Sequence, residues 1–397
     1  MRVTIILLGF LLSIDCYADK WYPRDSVGGK PRNGAIAVSI PSIGKAYVGC
    51  GSDGLGGFLS DFWEFDPSTG KWKLVAHYPG NATVNSFAFS IGSKCYVGGG
   101  DVGGSMADDF WEYDPVKDKW TRMADLPAGR RSSPFSFSIG TTGYMGGGYN
   151  ESWMPTSDFW AFDPQANRWT RKTDYAGGGT ALGSGMATNG KGYVSLGLGV
   201  GSNAHNFFEY DPAANRWTVK ANIDGPIYYR SAGFAVCGKI YLATGNAIST
   251  QYTDELWQYD PTINSWTSKA DFMGGPRNQA VGFSLLEKGY IGTGGFGLSD
   301  WYQYSPDSCR PTGILDQHRY PTHVSVYPNP FRNELKFVTE AEDSLSLIIY
   351  DMSMHVVLRK RFVQSLTIDS KDLSQGLYIY ELCSSKGDFL RGKLIKR

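Results

Sequence analysis

The sequence predicts an all-β protein: a propeller of six four-stranded blades followed by a small C-terminal β-sandwich. Three observations carry this. Tyr47, Tyr96, Tyr144, Tyr193, Tyr241 and Tyr290 recur at steps of 48 or 49 residues, each followed by an aliphatic residue or methionine. A strand-to-turn segment recurs in phase with them, from Asp61-Phe-Trp-Glu-Phe-Asp-Pro67 to Ser299-Asp-Trp-Tyr-Gln-Tyr-Ser-Pro306. A second tryptophan follows five of the six turns (Trp72, Trp120, Trp169, Trp217, Trp266), and the sixth is displaced to Trp21. Self-similarity at a period near 50 residues, in short strands punctuated by glycine, is the signature of a propeller.

Taken along the chain, residues 1–18 have a short positive start, an apolar stretch from Val3 to Ile14 and a small-residue exit at Cys16-Tyr17-Ala18. This reads as a signal peptide cleaved before Asp19, too short to span a membrane as a helix. Within each following unit, Phe alternates with Ser or Ala before the tyrosine, as over 84–91 and 133–139, which gives a half-buried innermost strand. The tyrosine strand ends in glycines, as in Tyr96-Val-Gly-Gly-Gly, where the missing Cβ lets backbones approach closely. The aromatic strand and an Asp-Pro turn come next, with Gly70, Asn167, Asn215 and Asn264 suited to a left-handed φ. The post-turn tryptophan lies on the fourth, outermost strand.

These marks, the diglycine with spaced Tyr and Trp in six copies, resemble the kelch-repeat family across nearly all of residues 19–309. The resemblance implies that the last unit takes its outer strand from the segment carrying Trp21. The spacing agrees, because Trp21 to Arg32 and Trp266 to Arg277 are both 11 residues. Closure of this kind removes exposed sheet edges.

After Cys309 the repeat stops. Residues 310–322 carry two prolines and no periodicity and read as a linker. Residues 323–397 read as short strands of a second, sandwich-like domain. Tyr327-Pro-Asn-Pro330, Tyr350-Asp351, Leu373-Ser-Gln-Gly-Leu-Tyr378 and the basic Lys393-Leu-Ile-Lys396 resemble, in order, the C-terminal sorting domain of type IX secretion cargo. Met352-Ser-Met-His355 stands where that family usually has a glycine. The resemblance implies engagement of the type IX secretion machinery and passage through the periplasm and outer membrane of a Gram-negative bacterium, to the medium or the cell surface.

The formal net charge is zero, with no basic stripe or run of like charge, so nucleic acid and anionic membranes do not fit as partners. The five cysteines after residue 18 show no Cys-x-x-Cys spacing and fall at different phases of the repeat. Neither a disulfide framework nor a zinc site is expected; buried free thiols are, with a single pair involving Cys309 left open. No cofactor and no metal are expected, because the two propeller histidines, His77 and His205, lie in different units.

By family geometry, two sets of loops share one face around the central channel. Arginines in the first set (Arg32, Arg130, Arg131, Arg230, Arg277, with Tyr228) suit a carboxylate or other planar anion through bidentate bonds. The second set varies most between copies and offers Tyr149, Trp153 and Tyr252 for stacking on a sugar or a peptide side chain. Two functional readings follow. One is a non-catalytic recognition module for a glycan or protein; the other is a carbohydrate-active enzyme resembling the six-bladed sialic acid mutarotases. They differ in needing a catalytic carboxylate at the channel mouth, for which only Glu151 and Glu255 stand nearby.

Overall fold

A computed structural model describes residues 19–81, 83–195, 197–199, 207–223, 228–247, 252–306, 324–339, 344–351, 356–371, 373–384 and 389–397. The expected signal peptide and linker lie outside these residues. Asp19–Cys309 forms one compact unit and the tail belongs to another.

In the first unit the alternating strands pair as the pattern requires. Blade one is Ile36–Ile40, Lys45–Gly49, Phe62–Asp66 and Lys71–Val75, antiparallel and in that order. Blades two to five repeat this arrangement, the fifth ending in Ser265–Lys269. Asp at each hairpin holds the turn by accepting a backbone N–H two residues on, as from Ser68 to Asp66 and from Val116 to Asp114.

The sixth blade has the order Lys20–Arg24, Trp301–Ser305, Lys288–Gly292, Val281–Leu285, so its outer strand comes from the opposite end of the unit. Trp21 pairs with Tyr304 in register. The phase is that of the other blades. Trp120, Trp169, Trp217 and Trp266 each donate their indole N–H to a carbonyl of the preceding blade, at Ala76, Ala124, Thr173 and Ala221. Trp21 does the same to Ala270, at 3.0 Å. Asp19, two residues before Trp21, has φ +54 and accepts the Tyr304 hydroxyl. Asn215 and Asn264 do the same for Tyr210 and Tyr259 in their blades. Six apolar clusters fill the interfaces between neighbouring blades; that between blades five and six contains Trp21, Phe234, Tyr241, Phe272 and Tyr304.

One cysteine departs from expectation. Cys50 and Cys95 are buried free thiols, but Cys237, in the turn between Ala232–Val236 and Lys239–Ala243, is disulfide-bonded.

In the tail, Val324–Tyr327, Glu334–Thr339 and Ser365–Asp369 form one sheet. Val356–Phe362, Leu345–Tyr350, Gly376–Ser384 and Phe389–Lys396 form the other. Phe331, Phe337, Leu347, Ile349, Tyr380, Leu382 and Leu394 make their common core. Among the described residues, no helix is long and apolar enough to cross a membrane.

Candidate functional site at the channel mouth

The segment leading into each innermost strand bends through a residue with left-handed φ: Gly34, Asn85, Ser133, Leu182, Arg230 and Gln279, at +53 to +64. These six residues are joined head to tail. Asn85 N–H donates to Gly34 O, Ser133 to Asn85, Leu182 to Ser133, Arg230 to Leu182, Gln279 to Arg230, and Gly34 back to Gln279, at 2.8–3.3 Å. The result is a closed circle of backbone hydrogen bonds, one residue per blade. Because each N–H donates around the circle, recognition at this level falls to the side chains.

Those side chains differ. Gln279 Nε2 donates to Asn85 Oδ1 at 3.2 Å, and the bond passes beside Gly34. A Cβ on Gly34 would come within 2.7 Å of that oxygen and 2.5 Å of Val84 Cγ2, so it is space, more than the φ its five counterparts share, that favours glycine here. Ser133 is buried and Leu182 half-buried. Arg230 is the one charged residue of the six. Among the described residues it makes no ion pair, and its Nε is buried without a hydrogen-bond partner.

The other arginines are placed differently, and this corrects the expectation that four blades direct guanidinium groups at one opening. Arg32 is 0% exposed, with both terminal nitrogens on the Asp61 carboxylate at 2.9 and 2.7 Å and further bonds to the carbonyls of Cys50 and Gly28. Arg131 holds Asp158 in the same way and also donates to Thr156 and to Gly147 O. Arg277 holds Asp300 and the carbonyls of Thr293 and Gly274. Each carboxylate except that of Asp300 also accepts an indole N–H, from Trp63 in blade one and Trp160 in blade three. These three arginines tie the loop to the third strand inside the blade. Blades two and four carry Thr83 and Thr180 at this position, and there Tyr78 and Tyr175, five residues earlier, are buried in place of Val27, Leu126 and Phe272. Tyrosine plus threonine thus replaces a smaller or less polar residue plus arginine.

Arg130 lies at the rim, exposed, 3.5 Å from Glu151. Tyr228 pairs with Ala247 across a two-residue ladder; its side chain lies outside the described set. Tyr149 sits across from Ser132. Burial pushes its phenol up, while the charge of Arg230 pulls it back, which puts guanidinium and phenol within electrostatic reach. Trp153, 49% exposed, projects from a loop closed on itself: Asn150 Oδ1 accepts the N–H groups of Ser152 and Met154, and Asn150 O accepts that of Trp153. Its ring lies 5.9 Å from that of Tyr149. Tyr252 bridges Asn246, and its ring lies 6.3 Å from that of Phe296. The structure therefore places Tyr149 against Trp153, with the charge of Arg230 felt at the Tyr149 phenol, and turns Arg32, Arg131 and Arg277 into the blades.

Glu255 accepts the indole N–H of Trp257, so it is blade five's counterpart of Asp158. Asp101, which the sequence reading passed over, follows the blade-two diglycine on this face. Its Oδ1 caps the N–H groups of Gly103 and Gly104 at 3.1 Å. Among the described residues no three His, Cys, Asp or Glu side chains form a group that could hold a metal ion.

Comparison with known proteins agrees with this architecture. Residues 10–185 match the KLHDC2/KLHL20/DRC7 Kelch-repeats domain family, and residues 325–397 match the Secretion system C-terminal sorting domain family. No curated protein matches the chain. Among solved structures, that titled "Structure of YjhT" is similar at TM-score 0.59 and 16% identity, covering 70% of this chain and 94% of that one; at this identity the likeness is one of fold alone. The repeated strands, the Trp21 closure and the two matches agree on the architecture: a kelch-repeat match within the propeller and a secretion-system sorting-domain match over the tail.

Proposed function

We propose that the exported propeller is a non-catalytic recognition module that binds a glycan or protein ligand over its channel mouth, through an anionic group held by Arg230. The observation behind this reading is the state of Arg230: the one guanidinium in the six-residue circle, without an ion pair among the described residues and with a buried, unpartnered Nε. A half-buried cation beside a phenol and an exposed indole combines a charge-assisted anchor with a stacking surface. Binding is favoured over mutarotation because the acids near the mouth are engaged: Glu151 with Arg130, Glu255 with Trp257, and Asp101 with its own loop. A general acid or base must reach the proton it moves. The sorting tail supports display at the surface or release.

Glycan-array and protein-capture measurements on the mature protein test this. Arg230→Ala is expected to weaken capture by about tenfold to hundredfold, the worth of a hydrogen-bonded charge. Trp153→Ala should weaken it by about tenfold. Equal capture by wild type and both variants would remove the site. Acceleration of N-acetylneuraminate anomer exchange, followed by NMR, would instead favour the enzymatic reading.

A further inference from the structure

The junctions between neighbouring blades repeat one bridge, and the seam of the ring lacks it. Two residues before the outer-strand tryptophan, Asp118, Asn167, Asn215 and Asn264 each reach back to the preceding blade, where their Oδ1 accepts the N–H of Ala76, Ala124, Thr173 and Ala221 at 2.8–3.2 Å. The tryptophan indole bonds the carbonyl of that same residue. At the seam, where blade one meets the N-terminal strand, half of this bridge survives. Trp72 donates to Asp25 O at 2.9 Å, but two residues before Trp72 stands Gly70. The Asp25 N–H therefore has no acceptor among the described residues. Gly70 has φ +69, in the same left-handed region as the +44 to +51 of its four counterparts, and a Cβ on it would meet no heavy atom within 4 Å. The oxygen is missing, but the room for it is present.

That room belongs to a cavity of about 520 Å³, within the size range of small-molecule sites and lined with Gly70 by Arg24, Asp25, Ser68, Thr69, Lys71 and Gln303. Its cations are incompletely matched by acids. Arg24 donates Nε and Nη2 to the Gln303 amide oxygen at 3.0 and 2.9 Å and Nη1 to Pro23 O, and it makes no ion pair among the described residues. Lys71 pairs with Asp25 at 2.5 Å, but both side chains are more than half exposed, so this pair contributes little and yields readily to a competitor. Two cations against one carboxylate, beside a backbone N–H without an acceptor, favour a ligand that brings an anionic oxygen. The repeat supplies its geometry. In the next junction that place is held by a carboxylate, Asp118, and in the three after it by a planar amide oxygen.

We propose that the seam cavity is a second ligand site, which takes a small molecule bearing a carboxylate, of the uronic acid kind, with one carboxylate oxygen on the Asp25 N–H and the charge beside Arg24 and Lys71. The site shares no residue with the channel mouth and does not rest on the reading of Arg230. Glucuronate is the probe, with glucose and sodium chloride as controls, and the mature protein is followed by calorimetry and by the Asp25 amide resonance after nitrogen-15 aspartate labelling. At about twentyfold above a millimolar Kd, glucuronate should raise the melting temperature by about 2–4 °C and move the Asp25 amide, and the controls should do neither. Gly70→Asn supplies the oxygen from within the chain. It should melt about 1–2 °C higher than wild type in buffer alone and bind glucuronate at least about tenfold more weakly. In Arg230→Ala the response should persist, which separates the seam from the mouth. An Asp25 amide that glucuronate leaves in place would overturn the proposal, as would unchanged affinity in Gly70→Asn or loss of the response in Arg230→Ala. Should Gly70→Asn melt early, the Asp25 amide of the wild type decides.

Discussion

Deleting residues 20–23 is expected to lower the melting temperature of the whole propeller by at least about 10 °C. The deletion removes Trp21, 8% exposed, from the core between blades five and six, and Trp→Ala at such a site costs about 3–5 kcal/mol by itself. It also unpairs Trp301–Ser305, whose backbone then becomes a solvent edge, and leaves the Tyr304 hydroxyl without the anchored Asp19. A domain's net stability is only about 5–15 kcal/mol, so losses of this size reach every blade through the closed ring. Calorimetry of the mature chain checks this, and an unchanged melting temperature would refute the closure's role.

The second large effect is expected from Arg131→Met, at about 3 kcal/mol, because it leaves the partly buried Asp158 carboxylate without its cation. The effect depends on pH. In the wild type, burial raises the Asp158 carboxyl, but hydrogen bonds and charge from Arg131 outweigh it and hold the group below its usual range. A folded-state pKa below the unfolded value stabilises above the unfolded pKa, about 3.9, and is lost as pH falls through the folded one. In the variant burial is opposed only by the remaining hydrogen bonds from Trp160 and Thr156, so its carboxyl rises and its deficit shrinks on protonation. Urea midpoints of the two proteins should therefore lie farthest apart near neutral pH and converge below about pH 4. A gap constant across that range would show that the carboxylate is not what the arginine serves.

The blade count and the closure were legible because they rest on residues that recur and are buried. Trp21 and Asp19 keep the spacing of Trp266 and Asn264 even though the chain reaches them from its other end. The arginines misled because residue type was read before phase. Arg32, Arg131 and Arg277 each stand six residues before Val38, Phe137 and Phe283, whereas six before Phe234 the chain has Tyr228. Arg230 is two positions out of step, and that shift is what moves it from the blade interior to the circle at the mouth. The compensation between Tyr78 and Thr83, repeated at Tyr175 and Thr180, was likewise present in the sequence as a pair of departures at a fixed separation. The bond at Cys237 was not legible, since a disulfide joins residues that the repeat does not relate. Nor was the grip of Asn329 on the last strand of the tail, where its side chain donates to Lys393 O and accepts the Ile395 N–H, because the two segments lie more than 60 residues apart in sequence.

A circle of six peptide groups that satisfies itself works as a collar whose bore is set once, whatever heads are mounted on it. The heads here are unevenly distributed. On one half, Gln279 and Asn85 meet beside Gly34, and on the other stand Ser133, Leu182 and Arg230. A circle built by sixfold repetition thus carries unlike side chains, with its one charge in blade five and its one side-chain bridge over blade one. A new specificity on this frame needs no new backbone, only different heads at positions whose left-handed φ limits the choice.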